Sequence, residues 1–227
     1  MRFKKITKKE EGKFITRYDL TYETVDKKEK VYEMISRNNH LTNYEELHGD
    51  SPDAVVIIAL DETGDKILLN KEFRLAPGCF VYNFPAGLID EGEQPEESAK
   101  RELWEETGLE LYEIEDKIGL SYSAVGFSNE LNVCITGRAR GEFHASTSTV
   151  EEIEAAWYTR EEVRELLKTQ RFAARTQAYC YLWSKEKWRK RKENRRRKHY
   201  GKVAESIVSA GCSARRKRNK GNSIEGA

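Results

Sequence analysis

Aromatic and β-branched residues alternate with polar ones over KFITRYDLTYETV and KVYEMISR, and the polar DKKE between them has the character of a turn. Residues 13–37 are therefore expected to form a β-hairpin or small sheet. His40 to Pro52 is polar and reads as a connection. Two apolar runs follow, Ala54–Leu60 and Lys66–Asn70, around the turn-prone DETGD, which predicts a second hairpin inside the core. From Pro95 the period changes. Ala99, Leu103 and Thr107 recur every four residues, Pro95 suits a first helical position, Glu96 and Glu97 lie near the positive dipole end, and Gly108 supplies a stop. Strands are expected again at Ile118–Ser123 and Leu131–Thr136, joined by AVGFSNE. A flexible Ser/Thr-rich stretch, Gly137–Val150, precedes the strand Ala155–Tyr158. Thr159 with Glu162 makes a capping box for a helix carrying Val163, Leu166 and Leu167, and a second helical run, Thr176 through Trp188, places Tyr179, Leu182 and Trp183 on a core-closing stripe.

The helix after Pro95 carries an unusual second face. Glu102, Glu105 and Glu106 stand at i, i+3 and i+4, so their side chains meet within one turn and repel by a few tenths of a kcal/mol per pair, roughly. A cation among them would relieve that repulsion, and hard divalent ions use a couple of carboxylates with phosphate and water. Spacing alone is a weak signal and favours a solvated acidic helix face, since exposed Glu is common on helices.

The surrounding string, GLIDEGEQPEESAKRELWEETGL, resembles the Nudix hydrolase signature without a mismatch. Gly87, Glu93, Arg101, Glu102, Leu103, Glu105, Glu106, Gly108 and Leu109 fill its fixed positions in a loop, helix, loop context. The resemblance implies an α/β/α sandwich with a mixed β-sheet, and divalent metal, Mg²⁺ or Mn²⁺, held by Glu102, Glu105 and Glu106 with the Ala86 carbonyl. It implies that Arg101 orients a carboxylate. Gly87 would let the backbone come close to the metal. The lead-in FPAGLID, together with the β-rich start, is similar to the ADP-ribose and ADP-sugar pyrophosphatase branch.

That branch implies cleavage of a diphosphate bond, ADP-ribose or an ADP-sugar giving AMP and a sugar phosphate, in a homodimer whose N-terminal hairpin crosses to its partner. Candidate substrate contacts are Tyr32 against a purine, with strand packing as the alternative, and Arg37 against a phosphate. Arg74 is a further phosphate candidate, or else a surface arginine at a strand end. Glu130 either approaches the metals or hydrogen-bonds a neighbouring loop. The family's base falls near Thr149 by register, so the loop acids Glu151 and Glu152 stand as substitutes, completing with Glu105 and Arg101 the expected catalytic group. A nucleoside triphosphate or dinucleoside polyphosphate substrate, or a non-catalytic nucleotide sensor, are the alternatives; the intact carboxylate set argues against the sensor.

Composition adds an organisation. At 227 residues there is room for one catalytic domain with accessory segments, expected as an extension over 1–50, a hydrolase domain over 51–188 and a basic tail over 189–227. Residues 184–227 hold 16 Lys/Arg against 4 Asp/Glu, leaving 24 against 35 in residues 1–183. The tail is therefore expected to be largely flexible and to make weak, salt-sensitive contact with nucleic acid or another polyanion, or else to extend the last helix and dock on the acidic body. No apolar run is long enough for a membrane span and MRFKKITKKEEGKF lacks a secretory pattern, so a cytoplasmic protein is expected. Scattered Cys79, Cys134, Cys180 and Cys212 read as reduced thiols rather than as a zinc site or disulfide framework.

Overall fold

The β4 strand, Ala54–Leu60, is apolar on both faces, and its two sets of side chains divide the core in two. Val55, Ile57 and Ala59 pack with Leu68, Val133 and Ile135 beneath Ala99 and Leu103 of α1, Pro95–Thr107. Val56 and Ile58 pack with Ile67, Leu69 and Phe84 against Val163 of α2, Arg160–Thr169, and against Cys180 and Trp183 of α3, residues 174–185. A strand covered by helices on both faces needs no polar alternation, which is why VVII reads as a continuous run. The computed structural model describes residues 1–148 and 151–185. Thr149, the expected end of the last helical run at 186–188, the tail and Cys212 lie outside the described residues.

The main sheet has seven strands in the path β10-β5-β4-β9-β8, with β6 on β5 and β7 on β4. These are β5, Lys66–Arg74, β6, Cys79–Asn83, β7, Ala86–Leu88, β8, Glu110–Tyr122, β9, Leu131–Arg140, and β10, Ile153–Thr159. β4 and β9 run parallel, Ala54 opposite Asn132 through Leu60 opposite Arg138, while the other pairings are antiparallel, so the sheet is mixed. With α1 on one face and α2 and α3 on the other, this is the expected α/β/α sandwich.

A separate sheet, β1-β2-β3, is built from Arg2–Glu11, Thr16–Glu23 and Glu29–Ser36. The β2–β3 hairpin is the expected one. β1 escapes prediction because charge dominates RFKKITKKEE. It is held by backbone pairing to β2, by ion pairs such as Lys4–Glu23 at 3.0 Å and by half-buried Phe3 and Ile6 packed on the apolar cluster of the small sheet. Tyr18, Leu20 and Met34 bury against Leu41 and Leu47 of the connection.

Other elements differ in extent from their sequence expectation. The DETGD turn is present, with the Asp61 carboxylate accepting from the Asp65 and Lys66 amides, but β4 and β5 pair only at Leu60 and Ile67. Beyond that tip β4 takes β9 and β7 while β5 takes β10 and β6. β8 starts at Glu110 rather than Ile118, and β9 runs to Arg140 rather than Thr136. Three register shifts in the β8–β9 ladder break the two-residue period that would have announced the longer strands. α1 has the expected bounds. Gly108 caps it in the left-handed region at φ 84°, where its N–H donates to the Trp104 carbonyl at 2.8 Å. The Thr159 capping box also forms, its hydroxyl accepting from the Glu162 amide at 3.3 Å.

Candidate active site

Gly87 is the middle residue of short strand β7, paired with Val55 of β4, and the loop after the strand returns to begin α1. A Cβ at Gly87 would lie 1.9 Å from the carboxyl carbon of Glu102. Glycine is therefore demanded here by close approach: the Glu102 carboxylate rests against bare backbone. Ala86, immediately before, stands opposite Val56 of β4.

Arg101 organises the next layer. Its guanidinium grips both Glu93 oxygens, Nε to Oε1 at 3.1 Å and Nη2 to Oε2 at 2.8 Å. It donates through Nη1 to Glu102 Oε1 at 2.7 Å and through Nη2 to the Leu88 carbonyl at 3.0 Å. Ser98 Oγ donates to Glu93 Oε2 at 2.5 Å. Hydrogen bonds from Arg101 and Ser98 hold the Glu93 carboxyl at about 2, and the same pairing raises the Arg101 guanidinium above its ordinary value. Glu93 is thus the counter-ion that fixes Arg101, and Arg101 in turn aims Glu102. Glu105 stands at the rim, 3.5 Å from Arg101.

Glu106 points into the protein instead and is only 7% exposed. Asn70 Nδ2 donates to its Oε2 at 2.7 Å. Burial first, then the charges of Glu72, Glu102 and Glu151, push its carboxyl well above the ordinary value despite the Asn70 hydrogen bond. Glu72, on β5 two residues beyond Asn70, is also buried and raised, chiefly by desolvation, while the hydrogen bond from Asn83 Nδ2 at 2.9 Å opposes the shift. Asn83 Oδ1 accepts from Thr176 Oγ1 at 2.8 Å, which ties the start of α3 to the same network. Glu102 is raised for the same leading reason, with Arg101 opposing and Glu105 and Glu151 adding repulsion.

Like charges crowded into a half-buried space fit a hard cation. Among the described residues no three His, Cys, Asp or Glu side chains converge on one point as a finished metal cage. The donors are all oxygen, and Mg²⁺ commonly takes one or two carboxylates with phosphate and water rather than a full protein cage. Glu102 and Glu106 with the Ala86 carbonyl fit that pattern, and Glu105 lies at its edge.

The loop after β9 docks on α1, the His144 amide donating to the Thr107 carbonyl at 3.1 Å and the Thr147 amide to the Glu105 carbonyl at 2.9 Å. It leads to Glu151, which is exposed and close enough to raise Glu72, Glu102 and Glu106. Neighbouring Glu152 is fixed by its backbone, its carbonyl accepting from the Phe73 amide at 3.0 Å. Arg74 is exposed, with Nη1 3.8 Å from Glu72 Oε2.

Tyr32, Arg37 and Glu130 form a second group. Arg37 Nε donates to Glu130 Oε2 at 2.6 Å, the Tyr32 hydroxyl to the Gly126 carbonyl, and the Ile35 amide to the Phe127 carbonyl at 2.8 Å. β3 is thereby stitched to the 124–130 loop. Tyr32 also lines a cavity of about 470 Å³ with Tyr22, Met34, Tyr122 and Phe127. The sequence pattern singles out none of Asn70, Glu72, Asn83 and Thr176 as site residues. The available signal was two polar residues, Asn70 and Glu72, two apart on a strand whose preceding residues are Ile67, Leu68 and Leu69.

The NUDIX domain family model matches residues 50–180. Over 80 residues, 35% of this chain and 42% of the relative, the chain is 39% identical to the ADP-ribose pyrophosphatase of Bacillus subtilis (strain 168). Over 101 residues, 43% of each, it is 39% identical to the ADP-sugar pyrophosphatase of Mus musculus. The chain thus spans less than half the length of these curated relatives. The crystal structure of an ADP compounds hydrolase superposes with a TM-score of 0.59 at 16% identity, covering 84% of this chain and 96% of that one, which is a likeness of fold. No helix among the described residues is long and apolar enough to cross a membrane.

Proposed function

The chain belongs to the NUDIX domain family, and on that premise we propose that it hydrolyses the diphosphate bond of a nucleoside diphosphate derivative, ADP-ribose or an ADP-sugar, to AMP and a sugar phosphate. The observation that carries this reading is the half-buried carboxylate group Glu72, Glu102 and Glu106, with Glu151 facing it. Glu102 and Glu106, with Ala86, hold Mg²⁺ or Mn²⁺ in this reading. Such an ion, when bound, neutralises charge on phosphoryl oxygens and acidifies a water.

The protein's own groups do the rest. Arg101 aims Glu102 and opposes the upward shift that burial imposes on its carboxyl, and Asn70 fixes the Glu106 oxygen. In this reading Glu151 accepts the water proton as the new P–O bond forms and the anhydride P–O bond breaks. Arg74 and Arg37 meet phosphates, and Tyr32 meets the purine.

A panel of ADP-ribose, ADP-glucose, a nucleoside triphosphate and a dinucleoside polyphosphate, assayed with Mg²⁺ and with products identified, should yield AMP plus a sugar phosphate from one of the first two. Pyrophosphate release from the triphosphate as the dominant reaction, or turnover of none, would overturn the substrate class.

The reading includes a homodimer. Ile118, Leu120 and Tyr122 on edge strand β8, with Val125 and Phe127 in the loop after it, are all exposed, a concentration of apolar side chains that suits a second copy. Light scattering at micromolar concentration should give twice the chain mass. A fully active monomer would exclude the dimer.

A further inference from the structure

We infer that Arg175 is a phosphate-gripping residue of this site, binding the anhydride oxygens opposite the carboxylates; the inference rests on the proposed reaction and assigns one more residue to it. Thr176 is pinned, donating to Asn83 Oδ1 at 2.8 Å and accepting from the Phe84 amide at 3.3 Å. That anchors the first turn of α3 against β6. Arg175, the residue before Thr176, is consequently carried beside the Asn83–Glu72 pair, where its exposed side chain is close enough to Glu72, Arg74, Glu130 and Cys134 for them to act on its charge.

The other arginines of the candidate site differ from it in one respect. Arg101 is held by Glu93 and Glu102, Arg37 by Glu130, and Arg74 lies 3.8 Å from Glu72. Among the described residues Arg175 makes no ion pair or hydrogen bond, because the neighbouring acids are already engaged: Glu72 by Asn83, and Glu130 by Arg37. Its five N–H donors are unclaimed by the protein.

Although the side chain is exposed, the protein packed around it desolvates the guanidinium enough to push its pKa down from the ordinary value, with Arg74 adding to the effect and Cys134, Glu130 and Glu72 opposing it. Two guanidiniums that disfavour each other beside a carboxylate group are both relieved by an anion between them. Planar guanidinium matches phosphate oxygens two at a time. A diphosphate offers such oxygens on both phosphoryl groups, which lets one end reach the carboxylate side while the other meets the arginines.

The test uses the full chain with Arg175→Ala and Arg175→Lys. Readouts are kcat and KM on the ADP-sugar that is turned over, calorimetric binding of ADP and of inorganic pyrophosphate with Mg²⁺, and the melting temperature. For Arg175→Ala, KM and the ADP Kd should rise about tenfold or more, with kcat within about threefold, on the scale of a lost charge-assisted contact. Arg175→Lys should recover part of the affinity, and neither variant should melt differently, since no protein partner is lost.

Unchanged KM and Kd in Arg175→Ala would overturn the inference while leaving the reaction standing. So would a drop of several degrees in melting with kcat and KM both impaired and no rescue by lysine, which marks a structural role. Arg175-dependent ADP binding by a protein that turns over no ADP-sugar would instead sink the reaction and keep the anion site. A wild-type chain that binds neither probe would sink both.

Discussion

Glu106→Gln should cost on the order of 10²–10³-fold in kcat, the scale of losing one preorganised charge in a water-poor site, and yield a protein that melts above wild type when no divalent ion is added. Gln keeps the size of the side chain and an oxygen for the Asn70 hydrogen bond, so packing survives. What it removes is a buried negative charge beside Glu72 and Glu102.

The pH dependence follows from the direction of the shift. The folded carboxyl is raised above its ordinary value of 4.5, so the folded chain holds this proton more tightly than the unfolded chain does. The associated stability is fully present below about pH 4.5 and is lost as pH rises through the folded value. Gln does not titrate. The gap in melting temperature between variant and wild type should therefore be small in acid and widen toward neutral pH. Adding Mg²⁺ should raise the melting temperature of wild type by mass action and leave Glu106→Gln nearly unmoved. Equal stabilisation of both proteins, or wild-type turnover by the variant at saturating Mg²⁺, would remove Glu106 from the ion's ligands.

Why some of this was visible in sequence and some was not comes down to range. α1 declares both ends locally, through Pro95 at its start and a left-handed Gly108 after its end, and the Thr159 box does the same for α2. The apolar run of β4 is equally plain, since helices cover both its faces. Signals of that kind depend on neighbours within a turn or two. The Asn70–Glu106 and Thr176–Asn83 hydrogen bonds join residues 36 and 93 positions apart, and no local pattern marks such pairs.

Helical spacing brings Glu102, Glu105 and Glu106 together on paper, but burial separates them. Glu106 goes inward to meet Glu72 from β5, Glu102 leans on Gly87, and Glu105 stays at the rim. The fourth carboxylate comes from a strand, where a charged residue reads as a strand end. β1 and the first half of β8 stayed hidden for a different reason. Their pairing is carried by backbone, and their side chains keep no clean two-residue period.

Gly87→Ala should lower kcat by about the same order as removing Glu102, without unfolding the chain. The new Cβ would sit 1.9 Å from the Glu102 carboxyl carbon and 2.1 and 2.2 Å from its oxygens, far inside van der Waals contact, so something must move. The end of a flexible side chain yields more cheaply than the backbone of β7, which is paired to β4 through Val55 and Val56. Glu102 therefore swings away and gives up its 2.7 Å hydrogen bond from Arg101, while Glu93 still holds Arg101 and the helix keeps its buried Ala99 and Leu103. If glycine matters here only through Glu102, the two substitutions cannot add. Gly87→Ala combined with Glu102→Ala should be no slower than Glu102→Ala alone, because the carboxylate that the methyl displaces is already gone. Losses in kcat that multiply in the double variant would show that the backbone of β7 at Gly87, and not the carboxylate resting on it, is what activity requires.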